Sequence, residues 1–158
     1  MITFKPHGHW QLEINHRVLL QSFSGSWNEE AMLLYMQEFK KIAQPLINHD
    51  WAILSVFEHW ELGVPEIEPH IIEHCRWFIE HGCVKDCHVY SASNSKRQQL
   101  EKLIPRKEQN YERQVFIEFE DAKNWLASHG FTLSSNSDFI RALSVEHQHN
   151  TDDINDYE

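Results

Sequence analysis

Residues 70–74 read His-Ile-Ile-Glu-His. Two imidazoles stand one helical turn apart with a carboxylate between them, the order in which inverted zinc peptidases hold zinc and activate water. Placing residues at about 100° each around a helix sets His70, His74, Trp77 and His81 along one stripe beside the apolar face. The same count sends Glu73 to the wet side with Glu66, Arg76 and Glu80. The carboxylate that should activate water then points away from both histidines. The motif is therefore read as coincidental, and no hydrolytic or other enzymatic role is expected. The stripe itself is expected to be exposed and to act as an interaction surface.

His81, Cys83, Cys87 and His88 offer four nitrogen and sulfur ligands of the kind tetrahedral zinc takes. Adjacent residues on a strand face opposite sides, so Cys87 and His88 cannot close on one ion. Cys83 falls in the turn after a helix, where a small buried thiol is the commoner arrangement. No metal and no cofactor is expected. Glycine-rich phosphate loops and nucleophile elbows are absent, and the five glycines are isolated.

The elements that would position these groups follow from periodicity. Ile2–His7, Trp10–Ile14 and Val18–Phe23 read as short strands, the last two joined by a turn at residues 15–17. Residues 26–30, Ser-Trp-Asn-Glu-Glu, give a capped acidic start to a helix running to about Gln44, just before Pro45. Trp51–Phe57 is a nearly continuous apolar run, as suits a strand covered on both faces. A loop over Glu58–Pro65 precedes a second helix marked by Ile67, Ile71, Cys75 and Phe78 and ended near Gly82. Cys87–Tyr90 is the next strand, and a third helix runs through Leu103 to a stop at Pro105. Gln114–Phe119 then places Val115, Ile117 and Phe119 on one strand face, and a helix over Asp121–Ser128 ends at Gly130.

Strands alternating with helices imply an α/β fold: a mixed, mostly parallel sheet, an antiparallel hairpin at its N-terminal edge and about four helices. In such sheets ligands bind outside the carboxyl ends of the strands. Those ends carry Ser24, Ser26, Trp27 and Asn28 after one strand, Glu58, His59 and Trp60 after another, and Ser93 and Asn94 after a third. Two indoles and an imidazole there are the expected lining of a crevice for a small, partly apolar ligand.

The chain of 158 residues is long enough for one domain with its own core. Residues 1–131 are expected to form it, and residues 132–158, rich in Ser, Asn and Asp, to be a mobile acidic tail. A formal charge of -10 opposes binding to nucleic acid or to anionic membrane surfaces. Protonating all twelve histidines would carry it to +2, which makes a pH-responsive surface conceivable. The first ten residues lack a secretory pattern, no apolar run is long enough to span a bilayer, and three cysteines make no disulfide framework. A cytoplasmic location is expected.

The segments SFSG at 22–25, WNEEA at 27–31, WAILSVF at 51–57 and VFIEFEDAKNWL at 115–126 together resemble the SpoIIAA-like branch of the STAS superfamily, the sulfate-transporter and anti-sigma-factor-antagonist domains. The likeness covers about residues 1–131. It implies a regulatory or protein-interaction module, with a second copy of the chain, another protein, or a small or lipid-like molecule as partner. Anti-sigma-factor antagonists carry a phosphorylatable serine where the second helix begins. Here that stretch reads FEHWELGVPEIEPH, without serine, so the usual phosphorylation switch is not expected.

Overall fold

The computed structural model describes residues 5–91, 97–135, 137 and 139–141. Strands β1 (His9–Asn15) and β2 (Val18–Trp27) form the antiparallel hairpin, followed by α1 (Glu29–Ala43), β3 (Trp51–Gly63), a short 3-10 turn (Pro65–Ile67) and α2 (Glu68–Glu80). β4 (Cys83–Val89), α3 (Gln98–Glu101), β5 (Lys107–Glu108), β6 (Tyr111–Phe116) and α4 (Phe119–Ser128) complete the order. The strands assemble as β1-β2-β3-β4-β6-β5. β2, β3, β4 and β6 run parallel to one another, while β1 and β5 pair antiparallel at the edges. This is the α/β class, mixed and mostly parallel, that the sequence implies.

Alternation along the central strands divides the core in two. Leu19, Phe23, Ile53, Phe57 and Tyr90 face α1, α2 and the Leu100–Ile104 region. Leu20, Leu54, Val56, Cys87 and Val89 face α4 and Phe131, Phe139 and Ile140. Both faces are covered, which is why residues 51–57 read as an unbroken apolar run. Among the described residues no helix is long and apolar enough to cross a membrane.

Several expectations need correction. Residues 5–8 are not strand: Gly8 turns the chain at φ +116, and the segment before it is tied to Asn28. The Asn28 side chain caps α1 by accepting from Ala31 N at 3.0 Å, accepts from His7 N at 2.9 Å and donates to Lys5 O at 2.8 Å. The expected loop over Glu58–Pro65 is mostly strand, because β2 also runs on to Trp27 and the two continue to pair, Gly25 with Trp60 and Trp27 with Gly63. β6 ends at Phe116, so Ile117 is 52% exposed, and Phe119 enters the core from the first turn of α4. The third helix is one turn long, and β5 makes a hairpin with β6 that the sequence did not suggest. The chain does not leave the domain at Phe131 either. Asn15 and Ser134 exchange hydrogen bonds at 2.9 and 3.0 Å, and Phe139 and Ile140 pack under the sheet.

Candidate functional site

A row of polar side chains crosses the buried sheet face beneath α1 and α2. Gln21, Ser55 and His88 are register partners on β2, β3 and β4. One pleat nearer the N-terminal ends, Ile53, Asp86 and Arg113 form the next row. Gln21 Nε2 donates to Ser55 Oγ at 2.7 Å, and Tyr35 OH, reaching down from α1, donates to Gln21 Oε1 at 2.6 Å. Tyr111 OH donates to Asp86 Oδ2 at 2.5 Å. His88 Nε2 lies 3.3 Å from Asp86 Oδ1, close enough for an ion pair, and His88 Nδ1 lies 3.4 Å from Tyr90 OH.

Between this floor and the helices lies a chamber of about 60 Å³. Phe23, Phe57, Trp27 and Trp60 form its wall, with Phe57 stacked between Phe23 at 4.9 Å and Tyr90 at 4.8 Å. Tyr35 from α1 and Ile71, His74, Cys75 and Phe78 from α2 form the roof. Four buried side-chain atoms among the described residues have no hydrogen-bond partner: Trp60 Nε1, both ring nitrogens of His74, and Asp86 Oδ1. All three residues line this one chamber. An unsatisfied buried polar atom costs about 1–3 kcal/mol, so their convergence calls for an occupant that hydrogen-bonds.

Burial, and secondarily the charge of Lys40, push the His74 imidazole down to about 3, so it is neutral at physiological pH. Burial also raises the Cys75 thiol and the Tyr35, Tyr90 and Tyr111 phenols, which stay protonated. Ser55, His88 and Asp86 are the residue types of a hydrolytic triad, but the His88 nitrogens are directed to Asp86 and Tyr90, and Ser55 accepts from Gln21.

The residues foreseen at the crevice are only partly brought together. Trp27 and Trp60 meet, ring centroids 5.9 Å apart, but as chamber wall, 2% and 5% exposed, not at an open strand end. Trp27 Nε1 donates to Ser24 O at 3.0 Å. Ser26 Oγ turns outward to Glu61 Oε2 at 3.3 Å, and the amide of Asn28 is occupied as a cap. Glu58 and His59 sit within β3, their side chains outside the described set, and Ser93 and Asn94 lie outside the described residues.

The expected exposed stripe on α2 is broken at His74, while His70, Trp77 and His81 stay half-buried at the surface. His74 is only 5% exposed, since α1 lays Tyr35 and Phe39 over the position that a 100° count leaves at the rim. His70 is held by Glu29 at 3.2 Å. Trp77 stacks on His81 with centroids 4.4 Å apart and carries the Lys40 ammonium over its ring at 5.6 Å. Cys83 and Cys87 belong to opposite faces of the sheet, and no metal-holding group of three ligands occurs among the described residues.

Sequence reasoning passed over Gln21, Ser55 and Asp86, and weighed His88 only as a zinc ligand. A signal was present for Ser55, a polar side chain in a strand expected to be covered on both faces, and Asp86 and His88 alternate in phase with Tyr90.

No family model and no curated protein matches the chain in sequence. Among solved structures, the crystal structure of an uncharacterized protein from the DUF3478 family with a SpoIIAA-like fold, from Shewanella loihica PV-4, is similar to it with a TM-score of 0.57. The match covers 80% of this chain and 98% of the other at 10% identity. At that identity the likeness concerns the fold, which is SpoIIAA-like, and leaves the chemistry to the residues above.

Proposed function

We propose that this SpoIIAA-like chain is a non-enzymatic binding module whose ligand is a small molecule held inside the fold, in the chamber between the sheet and α1 and α2. The observation that carries this reading is that Trp60, His74 and Asp86, each with a buried side-chain atom that has no hydrogen-bond partner among the described residues, all line one cavity. A core under selection for stability alone would fill these positions with apolar side chains, since satisfied or absent polar groups cost less than orphaned ones. The non-enzymatic part is supported by the chamber's chemistry. Its thiol, Cys75, is pushed up in pKa by burial and disfavours thiolate, and its hydroxyl, Ser55, has no base directed at it.

A regulatory module that docks on a partner protein or on a second copy is the other role the fold suggests. Its specific support in this chain was the histidine stripe, and the inward turn of His74 takes one residue from it and leaves His70, Trp77 and His81 half-buried. Native mass spectrometry of untagged protein, followed by denaturing mass of the same sample, separates the two. Mass lost beyond subunit separation is expected, and its value gives the ligand. Bare monomers or dimers with no releasable mass, unchanged after incubation with cell metabolites, would count against the chamber as a binding site.

A further inference from the structure

The unpartnered atoms of the chamber differ in what they require. The Trp60 indole N–H is a donor and needs an acceptor, Asp86 Oδ1 has His88 Nε2 at 3.3 Å but no hydrogen bond and can accept one, and the neutral His74 ring presents one donor and one acceptor. No Lys or Arg is among the described residues lining the chamber. Arg113, beside Asp86 on the sheet, is directed to Glu101 at 2.9 Å and to the carbonyls of Ile104 and Pro105 at 3.0 and 3.3 Å. An anion would thus enter beside a carboxylate with no cation to meet it, which low-dielectric surroundings make costly. A cation would find Asp86 but could accept nothing from the Trp60 or His74 N–H groups.

Size narrows the class further. A chamber of about 60 Å³ is less than half the roughly 150 Å³ that admits benzene in an engineered apolar cavity. An acyl chain does not fit that space.

We infer that the chamber selects a small neutral molecule, smaller than benzene, carrying both a hydrogen-bond donor and an acceptor, with a short primary carboxamide as the best-matched chemistry. Trp60, His74 and Asp86 are the residues that recognise it, and Phe23, Phe57 and Trp27 enclose its apolar part. This assignment rests on the binding reading given above and specifies what that site takes.

The test is a titration of the full chain with propionamide, propionate and propylammonium, matched in size, and with octanoate as an acyl chain. It is read from the indole N–H signal of Trp60 and the ring signals of His74 by nuclear magnetic resonance. Propionamide is expected to shift both signals saturably, at concentrations at least about tenfold below those either ion requires, and octanoate to leave them in place. His74→Phe is expected to abolish that preference while the Trp60 signal still reports a folded chain. Equal or tighter binding of propionate or propylammonium would overturn the neutral class, and saturation by octanoate would overturn the size limit. In either case the chamber stands as a binding site. Silence of both signals toward all four probes would overturn the inference and the binding reading together.

Discussion

The imidazole of His74 stands edge-on to the ring of Phe39, centroids 4.4 Å apart and planes at 81°, while neither of its nitrogens meets a hydrogen-bond partner among the described residues. Tyr35 at 5.2 Å and Phe78 at 5.4 Å close two further sides. These surroundings suit an aromatic hydrocarbon better than an imidazole. A polar ring in such a place weakens the fold and at the same time gives the chamber two groups that can bind.

Exchanging His74 for Phe should therefore separate stability from binding. Removing an orphaned buried donor and acceptor returns about 1–3 kcal/mol, and the adjoining cavity takes up the extra carbon of the larger ring. We expect the urea midpoint to rise by the equivalent of about 1 kcal/mol or more and the releasable ligand mass to disappear. A variant that is less stable yet keeps its ligand would contradict both halves of the argument.

The same burial fixes how stability responds to pH. Above pH 6.5 the imidazole is neutral in both the folded and the unfolded chain, and His74 adds no pH dependence. Between 6.5 and about 3 the unfolded ring takes a proton that the folded ring refuses. Stability then falls with decreasing pH, by at most about 1.4 kcal/mol per unit and roughly 4–5 kcal/mol across the window. Urea titrations of the wild type and of His74→Phe at pH 7.5, 5.5 and 4.5 should diverge as pH falls. Parallel curves would mean that His74 is hydrated or partnered in solution.

How much of this could be read in advance depends on which force decided each element. The parallel sheet was legible because Trp51–Phe57 and the periodic helices carry strong patterns. The length of β3 was not legible: residues 58–63 are polar enough to read as loop, and only pairing with an equally long β2 keeps them extended. The expected crevice was right in joining Trp27 to Trp60 but wrong in leaving them open, since element order locates strand ends and not how far the strands run on or what a helix lays over them. His74 is the clearest instance. Its place one step from the core face is in the sequence, but its burial comes from Tyr35 and Phe39, about forty positions earlier.

Tyr111 and Asp86 should behave as a coupled pair. Tyr111→Phe removes the 2.5 Å hydrogen bond to Asp86 Oδ2 and leaves a second oxygen of a 1%-exposed carboxylate without its donor. Loss of a bond to a buried charged group is expected to cost about 2–3 kcal/mol. Asp86→Asn retains an oxygen that can accept from the phenol and should cost less. In a double-mutant cycle of Tyr111→Phe with Asp86→Ala, which removes the acceptor, the two changes should couple by more than about 1 kcal/mol, whereas additive effects would show that the pair does not interact in solution.

Gly8 supports the chamber from outside. Its φ is +116, and a Cβ there would lie 2.7 Å from Cδ1 and Nε1 of Trp27, the indole that leans on Trp60 and packs 5.3 Å from Trp10. Gly8→Ala thus combines backbone strain with displacement of a wall residue. Gly130→Ala supplies the comparison, because Gly130 has a φ of +88 but a Cβ there meets nothing within 4 Å, so it carries strain alone, of order 1 kcal/mol. The Gly8 variant should cost at least about 1 kcal/mol more than the Gly130 variant, shift the tryptophan emission and weaken ligand retention. The Gly130 variant should leave emission and ligand unchanged. Equal costs with unaltered emission would mean that the Trp27 ring gives way freely, and a wall that yields so readily could not set the size of what the chamber holds.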